Sequence, residues 1–165
     1  MKLLVMSDSH AALRLMRCCV DVVKPDRMIH LGDYFDDGVA IAEEYPQIPM
    51  LQVPGNCDRY RCPPGNPEIR SERIGGAEVY LTHGHRHNVK LDTTRLLADA
   101  RACHADIALY GHTHEAVCFR EPDGLWVLNP GSCGYGGGSV GLVEIQEGKI
   151  ISCRILRQSD LEEMI

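Results

Sequence analysis

Leu3-Leu4-Val5-Met6 is an unbroken apolar run, the pattern of a strand covered on both faces, and residues 2–7 are predicted as a strand. The period then changes. Across residues 11–23, Leu13, Met16, Cys19, Val20 and Val23 recur at helical spacing, and Pro25 ends the segment. Strands are predicted again at 27–31 and 49–53, around a short helix at 38–45 closed by Pro46. Such a strand–helix–strand–helix–strand opening implies parallel pairing through right-handed crossovers.

Residues 59–68 contain Pro63, Pro64, Gly65 and Pro67 and read as a loop. Strands at 69–74 and 77–82 pair around Gly75-Gly76, 91–103 is an amphipathic helix, and 107–110 is a buried strand. Beyond residue 115 strands follow at 116–121, 124–128, 140–146 and 149–156, with turns at Asp123-Gly124 and Glu147-Gly148. No repeat and no long linker interrupts the chain. The pattern predicts one α/β domain over residues 1–165, with a second, largely antiparallel sheet.

Composition narrows the function. Hydrophobic residues at 44% and charged residues at 24% are ordinary for a soluble protein, and no apolar stretch approaches the roughly 20 residues that span a bilayer. The apolar start is too short for a signal peptide, so a cytoplasmic protein without membrane contact is expected. A net charge of −6 argues against stable binding to nucleic acid. It leaves small anionic substrates open, because bound cations reverse a local field. The eight cysteines include the adjacent pair Cys18-Cys19 and no CxxC motif, which fits reduced thiols better than a disulfide scaffold. Cys57 and Cys62 are too loosely spaced to read as a zinc pair.

Five segments carry the candidate chemistry, each at the end of a predicted strand: Asp8-Ser9-His10, Gly32-Asp33, Gly55-Asn56-Cys57-Asp58, Thr82-His83-Gly84-His85 and Gly111-His112-Thr113-His114. Ligand sites of open α/β sheets gather beyond the carboxyl ends of strands. Two carboxylates, one amide oxygen and four imidazoles suit Mn, Fe, Ni, Co or Zn better than Ca or Mg. Asp-x-His and His-x-His put alternate residues on one side of an extended segment. Each segment alone has an ordinary explanation: an Asp-x-His caps a helix, a Gly-Asp makes a turn. All five in this order, each after an apolar strand, do not.

With these motifs the chain resembles the calcineurin-like metallophosphoesterase superfamily, whose pattern is D-x-H, G-D, G-N-x-D/E, a His-containing fourth motif and G-H-x-H. More narrowly it resembles the small YfcE phosphodiesterase branch, through Gly55-Asn56-Cys57-Asp58, Leu81-Thr82-His83-Gly84-His85, Asn88-Val89-Lys90, Tyr110-Gly111-His112-Thr113-His114 and Asn129-Pro130-Gly131-Ser132. The resemblance covers roughly residues 1–156. It implies a four-layer αββα sandwich of two mixed sheets and two divalent transition-metal ions, with Mn the first choice. One ion would be held by Asp8, His10, Asp33 and His114, the other by Asp33, Asn56, His83 and His112. Asp33 and a water or hydroxide would bridge them. It further implies hydrolysis of a small phosphoester, with Asp33, Asn56, Cys57, Asp58 and His85 as the catalytic set, and a homodimer or homotetramer.

Many members of the superfamily have His where this chain has Cys57, which leaves the general acid open and favours diesters over monoesters. His85 reads as a substrate-contacting or ligand-holding residue, with an idle loop residue as its alternative. His87 reads as a solvated loop residue, His104 as a helix C-terminal residue, and His30 as either a ligand-orienting group or a satisfied core histidine. Gly134-Tyr135-Gly136-Gly137-Gly138 reads as a tight hairpin rather than a lid. Two rivals stand: a non-enzymatic protein-binding scaffold like the retromer's phosphoesterase-like subunit, and a phosphomonoesterase or nucleotide pyrophosphatase. An H-x-H-x-D-H run is absent, which argues against a metallo-β-lactamase-type hydrolase.

Overall fold

The strand β1 (Lys2–Met6) is apolar at consecutive positions because both its faces are covered. Leu3 and Val5 point into a core between two sheets, and Leu4 and Met6 into a second core beneath helices. The computed structural model describes residues 1–164; Ile165, the last residue of the expected domain, lies outside the described residues. One sheet runs in the order β10 (Lys149–Arg157), β9 (Ser139–Gln146), β1, β2 (Arg27–His30), β3 (Met50–Gln52). The other runs β4 (Ile69–Ile74), β5 (Ala77–Thr82), β6 (Ile107–Leu109), β8 (Trp126–Asn129), β7 (Val117–Arg120).

Three apolar clusters correspond to three layer interfaces. Leu3, Val5, Ile29 and Leu31 of the first sheet meet Val79, Leu81, Ile107 and Leu109 of the second. Leu4, Met28 and Leu142 turn outward to α1 (Leu13–Val23), α2 (Phe35–Glu44) and α4 (Gln158–Glu163), through Met16, Cys19, Ile41 and Leu161. Tyr80, Ala108 and Val127 turn outward on the other side to α3 (Thr94–Ala102), through Leu96, Leu97 and Ala100. This is the expected αββα sandwich of two mixed sheets. Each buried Leu, Ile or Val stabilises it by roughly 1.5–3 kcal/mol.

The strands after residue 115 do not form a separate antiparallel sheet. The β7–β8 hairpin joins the second sheet, with β8 parallel to β6, and the β9–β10 hairpin joins the first, with β9 antiparallel to β1. Burial explains the split. Val140 and Leu142 of β9 enter the helical core while Val143 and Ile145 enter the inter-sheet core, so β9 needs cover on both faces. α2 starts at Phe35, three residues before the predicted 38, with Asp36 and Asp37 in its first turn. Those carboxylates suit the partial positive charge of a helix N-terminus. The Gly75-Gly76 hairpin has positive φ at both loop residues, as a two-residue loop matched to strand twist requires. Among the described residues no helix is long and apolar enough to cross a membrane.

Candidate metal centre

β1, β2 and β3 run parallel, as do β5 and β6, so their carboxyl ends present five loops at one edge of the sandwich. Asp8 and His10 follow β1, Asp33 follows β2, Asn56 follows β3, His83 follows β5, and His112 and His114 follow β6. The seven candidate ligands therefore come from both sheets and converge where the sheets meet.

His83 sits at the centre of this convergence and is fully buried. Its Nδ1 lies 2.8 Å from the Leu31 carbonyl, so it donates there and Nε2 is left as a lone pair. Around that Nε2 are Asn56 Oδ1 at 3.1 Å, His112 Nδ1 at 3.2 Å, Asp33 Oδ2 at 3.5 Å and Asp8 Oδ1 at 3.9 Å. All are acceptors in their neutral-pH forms, apart from the imidazole tautomer of His112. Burial, His83 and Lys90 push that imidazole down to about 4, so it is uncharged at neutral pH. Beside this group, His114 Nε2 lies 3.1 Å from Asp8 Oδ1, and His10 Nε2 is buried with no hydrogen-bond partner. Asp8, His10 and His114 make one three-donor cluster, and Asp33, His83 and His112 make another.

Lone pairs packed against lone pairs out of water are unfavourable unless a cation sits among them. The carboxylate–imidazole–amide donor set suits a divalent transition ion, and the orphaned His10 nitrogen offers it one more bond. Burial alone would raise the Asp33 carboxyl. His83, the amide and thiol of Cys57 and the His10 ring together outweigh it and hold Asp33 below the usual carboxylate range.

The backbone aims these side chains. Asp8, His10, Asp33, His112 and His114 all have φ between 43° and 69°. Left-handed backbone costs an ordinary residue roughly 1–2 kcal/mol, and its concentration here turns each strand end sharply into the cluster. Two glycines make room. A Cβ on Gly55 would run into the Asp33 carboxylate, and one on Gly111 into the Ser7 hydroxyl beside Asp8.

Behind the donors lies a set of clamps. Buried Asp58 accepts from the backbone amides of Asp33, Gly55 and Phe35 at 2.7–2.8 Å, tying the β2 and β3 loops together. Its carboxylate, expected among the catalytic groups, is engaged by backbone and positions Asp33. His30 accepts from Gly32 N–H at Nδ1, so Nε2–H donates to Ser9 Oγ at 3.0 Å, and Ser9 Oγ donates to Asp37 at 2.7 Å. It orients the Asp8–Ala11 loop through Ser9 rather than touching a ligand. Asn129 donates to the Gly111 carbonyl and Thr113 Oγ1, and Ser132 Oγ to the Asp8 carbonyl, which gives the Asn-Pro-Gly-Ser segment its place under two ligand loops.

Cys57 is exposed at the rim. Its N–H donates to Asp33 Oδ1 at 2.9 Å, and burial together with Asp33 raises its thiol, which stays protonated. His85 is half-buried 5.5 Å from the His83 ring, with Nδ1 unpartnered; burial and His83 lower its pKa. His87 corrects the sequence expectation. It is 4% exposed, with Nε2 3.0 Å from Tyr80 Oη and 3.1 Å from Asp99, so it is a core group rather than a solvated one. His104 follows α3, donating its N–H to the Arg101 carbonyl. The glycine segment makes a tight turn closed by Gly138 N–H to Tyr135 O. Sequence reasoning missed what the turn carries: the Tyr135 ring stacks on His114 at 5.3 Å and 12°, and lies 4.8 Å from His10. Tyr34, also missed, flanks His10 at 4.8 Å, with the Arg61 guanidinium 3.9 Å from the centre of its ring. An aromatic between glycines was the available signal for Tyr135; nothing in the sequence pointed to Tyr34.

Comparison with known proteins agrees with the fold. Residues 1–148 match the model of the calcineurin-like phosphoesterase superfamily domain. A phosphodiesterase of Methanocaldococcus jannaschii is 30% identical over 150 residues, covering 82% of this chain and 86% of that protein. A crystal structure from Streptococcus pneumoniae, described as a predicted phosphoesterase, superposes with a TM-score of 0.76 at 27% identity, covering 96% and 90% of the two chains. Vps29 of Entamoeba histolytica in complex with zinc shares the fold, with a TM-score of 0.73 at 23% identity over 95% and 98%.

Proposed function

The chain belongs to the calcineurin-like phosphoesterase superfamily, and from that membership we propose that this metal-dependent phosphoesterase is a dinuclear phosphodiesterase of the small YfcE-type branch. Asp8, His10, Asp33 and His114 hold one divalent cation, and Asp33, Asn56, His83 and His112 the other, with Asp33 shared. The observation that carries this reading is the ring of lone pairs around His83 Nε2, adjoining a second three-donor cluster. Mn is the first candidate, with Ni, Fe, Co and Zn compatible with the same donors.

Bound divalent cations supply Lewis acidity, which acidifies water and neutralises charge growing on phosphoryl oxygens. The protein's own groups do the rest. The Leu31 carbonyl fixes the His83 tautomer, and Asp58 fixes the Asp33 backbone. His85, uncharged at neutral pH and 5.5 Å from the His83 ring, is the candidate for exchanging a proton with a substrate oxygen, through the ring nitrogen other than the buried Nδ1. Lys90, near enough to His112 to lower its basicity, adds a cation beside an anionic substrate. The Cys57 thiol is a weak, neutral donor where an imidazolium would serve a monoester dianion better, so the site favours a singly charged diester with an acidic leaving alcohol. The protein acts as one domain, in the cytoplasm, as a homo-oligomer.

The test is a panel of phosphate mono- and diesters with chelated and then Mn-reloaded protein. Diester turnover should vanish and return. Full activity in a verified metal-free sample would overturn the proposal. Cys57→His, with metal content checked, should raise the monoester-to-diester ratio. The second reading, a non-enzymatic scaffold, is supported by fold likeness alone; it predicts metal uptake without turnover of any ester on the panel.

A further inference from the structure

Cys118 lies on β7 and Cys153 on β10, the edge strands of different sheets. Both side chains are half-buried and pack against the inter-sheet core. Their sulfurs are 2.7 Å apart, about 0.7 Å more than a disulfide bond of about 2.0 Å. Among the described residues no other two thiols make such a contact. Neither cysteine belongs to the candidate metal centre, and the proposed hydrolysis gives this contact no role.

We propose that Cys118 and Cys153 form a redox-responsive disulfide that joins the two sheets covalently along the β7–β10 edge. The oxidant is a small-molecule disulfide such as oxidised glutathione. The Cys118 thiolate attacks one sulfur of the oxidant, forming a mixed disulfide and releasing one thiolate. The Cys153 thiolate then attacks Cys118 Sγ, forming the protein disulfide and releasing the second. Two protein thiols are oxidised, one external disulfide is reduced, and the two protein protons leave on the two small thiols. The order follows from the contact itself. With both thiols protonated Cys118 S–H donates to Cys153 Sγ; once Cys118 is deprotonated the Cys153 S–H can turn to the Cys118 thiolate, which lowers the pKa of Cys118 and raises that of Cys153, so Cys118 is the readier nucleophile.

The consequence is local and global. The bond closes a segment carrying β8 and β9, one strand from each sheet. β7 begins three residues after His114, so the link also restrains the strand that leaves the metal-ligand loop.

The test uses the full chain equilibrated with oxidised and reduced glutathione mixtures, then alkylated and mapped by peptide mass. The expected product is an intramolecular Cys118–Cys153 linkage two hydrogens lighter, forming before any other pair. Its melting temperature should rise by something on the order of 10 °C over the reduced protein. Cys118→Ser and Cys153→Ser should each abolish that rise, while Cys103→Ser keeps it. Complete alkylation of both thiols at an oxidising poise, or a linkage through other cysteines in its place, overturns the proposal. The wild-type mapping decides this even where a serine variant folds poorly. A Cys118–Cys153 bond that leaves the melting temperature unchanged would refute its action as an inter-sheet tie.

Discussion

Asp33 and His83 are nearly out of solvent and are held by hydrogen bonds to backbone: Cys57 N–H on Asp33, the Leu31 carbonyl on His83, and Asp58 under the Asp33 amide. His10 and His114, in the adjoining cluster, are more open and are flanked by the rings of Tyr34 and Tyr135. Backbone clamps keep donors in place before any ion arrives. Ring contacts leave them free to adjust, because stacking is weaker and less directional than a charged hydrogen bond. If the centre binds two cations as proposed, one is held tightly by a preorganised half and one exchanges more readily from an adaptable half.

The widest separation between the halves should come from the ligands themselves. Asp33→Asn keeps the shape and removes the charge shared by both halves, and should lower diester turnover by on the order of 10³ with loss of metal on gel filtration. His10→Ala should cost only about tenfold and recover as added metal is raised. Equal, unrecoverable losses in both variants would break the comparison.

A pH experiment probes the clamp beneath the Asp8–Ala11 loop. Burial pushes His30 down to about 4, from an ordinary value of about 6.5. Above 6.5 the ring is neutral in both folded and unfolded chains and contributes no pH dependence. As pH falls from 6.5 towards 4, only the unfolded chain takes up the proton, so stability is lost, up to about 3 kcal/mol. Urea unfolding of metal-free protein across that window should show this loss, and His30→Gln should shrink it. An unchanged pH slope in the variant would remove His30 from the account. The smallest effect belongs to the aromatic flank. Tyr135→Ala removes a stacked contact of about 0.5–1.5 kcal/mol and should weaken retention of the more exchangeable cation a few-fold, leaving the tighter one unaltered in a metal titration.

All seven candidate ligands could be picked out in the sequence because each follows an apolar strand, and parallel strands deliver their ends to one edge. The layers could be anticipated for a similar reason: β1 announces two covered faces by its unbroken apolar run. What escaped was whatever depends on distant partners. His87 follows a ligand loop in sequence, yet Tyr80 and Asp99 draw it into the core. Asp58 sits in a ligand motif, and its carboxylate is occupied by three backbone amides from two segments, Asp33 and Phe35 in one and Gly55 in the other. The division of the last two hairpins between sheets rests on which faces the neighbours cover, and local alternation does not encode that. Cys118 and Cys153 lie on strands whose proximity appears only when the sheets stack.

The left-handed backbone at Asp8, His10, Asp33, His112 and His114 also governs how this family member can drift. A replacement at these positions is screened for conformation before it is screened for chemistry. Asparagine and glycine enter at little cost, whereas valine, isoleucine and threonine are refused by their branched Cβ. A lineage released from selection for hydrolysis would therefore lose its carboxylates and imidazoles largely by way of asparagine, and the sandwich would outlast its activity. Saturation libraries at these positions should be rich in folded, idle variants of that composition, a fossil record of the centre written in residues that fit its turns.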